Sequence, residues 1–110
     1  MTKEKVFENK IKKMLDEHGA WYVKYFANRN TKSGIPDILA CVNGEFLAIE
    51  VKSDSGHPSE LQLHNVELIR KAGGLALVVY PSGFDQLTDI VIRLGRGLVV
   101  KGRHLPIELK

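Results

Sequence analysis

Two carboxylates and an ammonium, Asp37, Glu50 and Lys52, stand at the ends of two short apolar runs joined by Asn43-Gly44. Asn-Gly between apolar runs is the strongest short-range signal for a two-residue type I′ hairpin, and loop length and turn type fix the register. Val42 then pairs with Glu45, Ala40 faces Leu47, Ile38 faces Ile49, and Asp37 faces Glu50. Directly opposed side chains share a face, with Cβ atoms about 4.5–5.5 Å apart. Two carboxylates so placed repel unless a proton or a cation lies between them. Lys52, two residues past Glu50, shares that face. Such a cluster suits a hard cation such as Mg²⁺, which takes one or two protein carboxylates and keeps waters and substrate phosphate in its other positions. The plainer reading is an exposed strand end where Lys52 pairs with both acids. Against it, the run 47–51 reads as buried on both sides, which gathers polar groups at its end into a cleft.

The elements that must hold this cluster follow from period and punctuation. Residues 3–18 are helical, with Phe7, Ile11, Met14, Leu15 and His18 on one face, Thr2 as cap and Gly19 as stop. Residues 21–26 are aromatic and Val-rich and read as a strand; 28–34 form a polar loop. Strands follow at 37–42 and 45–51, then a loop at 53–57. A second helix spans 58–72, with Leu61, Asn65, Leu68, Ile69 and Ala72 along one face and Gly73-Gly74 after it. The apolar run 75–80 reads as a strand buried on both faces. Ser82 caps a third helix carrying Phe84, Leu87, Val91 and Leu94 on one side, and 98–100 supplies a final strand. The expectation is one α/β domain over residues 1–110, a mixed sheet flanked by helices in the order αβββαβ.

Bulk properties set outer bounds. The chain of 110 residues suits one core, and its net charge of +3 permits a nucleic-acid partner without requiring one. The single cysteine, Cys41, excludes an internal disulfide framework and a Cys-based zinc site, and packs as a small hydrophobe. No run is long enough to span a bilayer and no signal-peptide core is evident, so a cytoplasmic setting is expected.

Pro36-Asp37 with Glu50-Val51-Lys52 resembles the PD-(D/E)XK nuclease superfamily. The stretches GIPDILA and IEVK, with Glu8 in the first helix and Gln62 early in the second, resemble more narrowly the VRR-NUC family of virus-type replication and repair nucleases, in its stand-alone phage and bacterial form. That resemblance implies a restriction-endonuclease-like core and a Mg²⁺- or Mn²⁺-dependent deoxyribonuclease acting on branched DNA such as four-way junctions or flaps. It implies that Asp37, Glu50 and the Val51 carbonyl hold the metal. Lys52 would orient or activate the attacking water and steady charge on phosphorus, with Glu8 and Gln62 completing the catalytic set. It also implies a bacterial or phage-infected host cell.

Some residues have competing explanations. Glu8 lies at the edge of the apolar helix face, but Glu4 is on a similar side. Ser59 and Gln62 have capping-box spacing. Lys24, Arg29 and Lys32 precede the proposed site and are candidate grips on the DNA backbone, which supplies most non-specific affinity. Arg93, Arg96, Lys101 and Arg103 make the tail a second candidate DNA surface. The stripe on the third helix and the 98–100 run either cover the sheet of their own chain or pair with a second copy, which makes a homodimer the expected state. The alternative function is a non-catalytic nucleic-acid-binding module on the same fold; intact Asp37, Glu50 and Lys52 argue against it.

Overall fold

The computed structural model describes residues 1–110. Helix α1 (Lys3–Glu17) opens on Thr2, whose side chain accepts the Lys5 N–H. Strands β1 (Trp21–Lys24), β2 (Ile38–Val42), β3 (Glu45–Val51), β4 (Leu75–Val79) and β5 (Glu108–Leu109) form one sheet in the order β1-β2-β3-β4-β5. The first three run antiparallel; β4 and β5 lie parallel to β3. Helix α2 (Glu60–Lys71) joins β3 to β4, and α3 (Phe84–Gly95) follows β4.

Alternation along the strands divides the interior into two layers. Ile38, Ala40, Leu47, Ile49, Val51, Leu77 and Val79 face α1 and α3 in the main core. Ala48, Ala76, Val78 and Tyr80 face α2, through Val66. The apolar stripe of α3 is therefore committed within its own chain: Leu87, Val91 and Leu94 are buried there, with Phe84 packed against them. That removes this stripe as a surface for a second copy.

The hairpin has the expected register, from Val42 opposite Glu45 to Ile38 opposite Ile49. Asn43 and Gly44 have φ of 50° and 86°, the positive values that a type I′ turn demands. The Asn43 side-chain amide donates to the Leu94 carbonyl at 3.1 Å, fastening the turn to the end of α3.

Four expectations are corrected. Regular pairing in β1 ends at Lys24 rather than 26, although the Tyr25 N–H still donates to the Asp37 carbonyl at 2.8 Å. Ser82 does not cap α3: Pro81–Gly83 form a 3₁₀ turn and the helix starts on Gly83 without a side-chain cap. Residues 98–100 are not a strand. Gly97 turns the chain at φ 76°, leaving Leu98 and Val99 exposed, and the fifth strand comes later, at Glu108–Leu109. On α2, Leu61 and Leu68 are exposed while Asn65 and Val66 are buried, because the helix meets the sheet along Val66.

Candidate active site

The acids meet at the end of the hairpin away from its turn. Glu50 is only 1% exposed, which dismisses the exposed strand end. Its Oε2 lies 3.1 Å from Lys52 Nζ, and its Oε1 is buried with no hydrogen-bond partner. Burial first, and the neighbouring Asp37 charge second, push its pKa up to about 7; Lys52 works in the other direction. Asp37 enters from the first residue before β2. Its Oδ2 accepts the Val51 N–H at 2.8 Å and its Oδ1 accepts from Lys24 Nζ at 3.3 Å.

Glu8 is drawn into the same network from α1. It is 4% exposed and contacts Lys5, Lys12 and Lys24, the last at 2.6 Å. Burial opposes its charge, yet the three lysines outweigh burial and hold its pKa near 2. Glu8 therefore stays ionised at every working pH. Lys24 bridges Glu8 and Asp37, and although burial opposes its charge, these two acids raise its pKa. Its side chain is thus a member of the cluster. Alternation foreshadowed this: Tyr22 and Lys24 share the strand face toward α1, where Glu8 waits.

The other expected residues are placed differently. Gln62 closes a capping box: its N–H donates to Ser59 Oγ at 3.1 Å and its Oε1 accepts the Ser59 N–H at 2.8 Å. Its amide oxygen is thereby committed to the helix start. Arg29 and Lys32 lie exposed on the loop before Asp37, with no ion pair to either acid. Asn65 was legible only as part of a helix face. It is buried and donates to the Leu61 carbonyl at 3.1 Å, beneath Gly34, whose φ of 77° and close approach to Leu61 and Asn65 exclude any side chain. It seats the Asp37-bearing segment on α2. Of the tail cations, Arg93 pairs with Asp89, and a hollow of about 460 Å³ beside Arg93, Lys101 and His104 touches none of the site residues.

The donor set fits a hard divalent cation. Glu50 Oε1 needs a partner, the two carboxylates supply oxygen ligands, and no third Asp, Glu, His or Cys joins them. A site of two carboxylates leaves positions for the Val51 carbonyl, water and phosphate.

A pH effect follows for the metal-free protein. With its folded pKa raised from 4.5 to about 7, Glu50 holds a proton in the folded state that the unfolded chain has released. Its contribution is complete below pH 4.5 and is lost as pH rises through 7, a change of about 3 kcal/mol. Urea unfolding in a chelator should therefore show lower stability at pH 8 than at pH 5.5, and a divalent cation should narrow the gap by binding the folded state. Equal stability at both pH values would contradict this environment for Glu50.

A model of the family described as archaeal Holliday junction resolvase (Hjc) matches residues 1–81. The chain belongs to the Hjc family. No curated protein and no solved structure matches it. The match spans Glu8, Lys24, Asp37, Glu50, Lys52 and Gln62 and ends just after β4. Hjc proteins are PD-(D/E)XK nucleases, structure-selective endonucleases that cleave four-way junctions by hydrolysing phosphodiester bonds, and the five-stranded mixed sheet accords with their restriction-endonuclease-like fold. The superfamily read from PD and ExK is thus established, whereas the family matched is Hjc rather than VRR-NUC. Its description is archaeal, which displaces the bacterial or phage setting. No helix is long and apolar enough to cross a membrane.

Proposed function

We propose that this Hjc protein cuts four-way DNA junctions with Mg²⁺ or Mn²⁺ held by Asp37, Glu50 and the Val51 carbonyl, inside an archaeal cell. The observation that carries this reading is Glu50, a buried carboxylate with a free oxygen, facing Asp37 and tied to Lys52. When bound, the cation polarises the scissile phosphate and makes hydroxide available near neutral pH. The chain's own residues do the rest. Lys52 presents its ammonium where negative charge grows on the phosphoryl oxygens and orients the attacking water. Lys24 holds Asp37 in place, and Glu8 fixes Lys24. Gln62 supports the site by fixing the start of α2. Arg29 and Lys32 stand free to contact phosphates on either side of the cut.

The test is a panel of labelled single strands, duplexes, flaps and four-way junctions, incubated with Mg²⁺, Mn²⁺ or chelator. Junction cleavage that requires a divalent ion supports the reading. Junction binding without cleavage under any metal would favour the binding-module alternative, while cleavage in chelator would remove the metal site.

The working form proposed is a homodimer. Trp21, Cys41 and Phe46 lie in register across β1, β2 and β3 on the α2 side of the sheet, with Val23 two residues along β1, and all four are exposed, Cys41 against the expectation that it packs inside. Leu61 and Leu68 of α2 are exposed as well. An apolar sheet face beside an apolar helix flank is self-complementary material for a two-fold contact, which would give two cutting sites for a symmetric junction. Light scattering at micromolar concentration should return twice the 12.3 kDa chain mass. Trp21→Glu should return the monomer and convert paired cuts into single cuts. A wild-type monomer, with or without junction DNA, rules out the paired-cut arrangement.

A further inference from the structure

Beyond Lys24 the chain leaves the sheet and presents Phe26 to solvent. This ring is 71% exposed and belongs to neither core cluster. One exposed aromatic is ordinary. Three features set this one apart. Its ring lies 5.9 Å from Lys24 Nζ, the ammonium that joins Glu8 to Asp37, so it borders the reacting centre. It lies past the end of β1 at Lys24, beyond Trp21 and Val23 of the proposed dimer face. And it opens a built loop. There the Asn28 N–H donates to Thr31 Oγ1 at 2.7 Å, the Asn30 N–H to Asn28 Oδ1 at 2.7 Å, and the Tyr25 hydroxyl to the Lys32 carbonyl at 2.7 Å. Those bonds occupy Tyr25, Asn28 and Thr31, and leave Phe26 exposed at the start of a segment that also carries the exposed cations Arg29 and Lys32.

We propose that Phe26 is a stacking platform for a nucleobase exposed at the branch point of the DNA, and thereby a specificity-determining residue. The proposal rests on the junction-cutting reading and adds the group that distinguishes a branch from continuous duplex. Arg29 and Lys32 can grip any phosphate backbone, which carries no information about branching. An aromatic face gains energy only from a base whose own neighbour has moved away. Inside a duplex every base is already stacked, whereas strand exchange at a branch interrupts stacking. Stacking of one base on one aromatic ring corresponds to about 5- to 150-fold in binding when the ring is removed.

The experiment compares wild type, Phe26→Ala and Phe26→Trp. Each is measured with Ca²⁺ for binding and Mg²⁺ for cleavage, on a four-way junction carrying 2-aminopurine at the branch and on a linear duplex built from the same arm sequences. The expected result is that Phe26→Ala loses about 5- to 150-fold on the junction, leaves duplex affinity unchanged and loses the 2-aminopurine response, while Phe26→Trp restores all three. Equal losses on junction and duplex, or an Ala variant with unchanged junction preference, would overturn the proposal while leaving the nuclease reading intact. A wild type that cuts duplex as readily as junction overturns both.

Discussion

Glu50→Gln is expected to stop DNA cleavage and, in the same protein, to raise the melting temperature of the metal-free enzyme at pH 8. The two effects share one cause. The carboxylate is buried beside Asp37, with one oxygen unpartnered and its pKa pushed to about 7. At pH 8 the metal-free protein must carry this charge, at a cost of about 3 kcal/mol relative to the unfolded chain. Glutamine keeps the shape and removes the charge, which should raise melting by roughly 10 °C in a domain of this size. The same substitution removes an anionic oxygen from the proposed cation site. Losing several kcal/mol of transition-state stabilisation corresponds to a rate loss on the order of a thousandfold or more. Single-turnover cleavage with Mg²⁺ and thermal melting in chelator read the two effects separately. Wild-type cleavage by the variant would sink the site; a variant that melts below wild type at pH 8 would show that Glu50 is stabilising as an anion.

Lys52→Ala should reduce the chemical step by roughly 10²- to 10³-fold while leaving junction affinity nearly unchanged. Its ammonium is largely enclosed and 3.1 Å from Glu50, so it is poorly placed as a general grip on DNA. It is well placed for charge that develops only as the phosphorus–oxygen bond breaks. The substitution has a second consequence that must be separated from the first. Lys52 lowers the Glu50 pKa, so removing it moves that pKa further upward and shifts the rate profile toward alkaline pH. The part of the loss that persists once the rate has levelled off at high pH belongs to the chemical step. Binding isotherms in Ca²⁺ complete the comparison. A loss confined to affinity would reduce Lys52 to a phosphate clamp.

The hairpin was legible in the sequence because its turn demands positive φ at two residues, and Asn-Gly meets that demand as few pairs do. The same pattern places Asp37 opposite Glu50, because a two-residue turn fixes the register. Helical period alone could not separate Glu8 from Glu4; the deciding fact is a lysine on a different element, Lys24, whose strand face lies toward α1. The capping box at Ser59 and Gln62 was written in the spacing, because caps are local. The final strand was not, because Glu108–Leu109 is too short to show alternation and exists only where β4 offers an edge. Residues 98–100 had the right composition for a strand, but the turn at Gly97 carries them away from that edge, and only Val100 packs against the core.

The turn at Asn43-Gly44 lies at the opposite end of the hairpin from both acids, yet it decides whether they meet. Side chains alternate along a strand, so adding or deleting a single residue there would slip β2 against β3 by one position. Since β3 is also held in parallel register by β4, from Leu47 opposite Leu75 to Val51 opposite Val79, the slip must fall on β2. Asp37 would then exchange faces with Ile38, sending a carboxylate toward the main core and an isoleucine toward Glu50. A surface loop that touches no reacting group is therefore as sensitive to a change in length as the acids are to a change in chemistry.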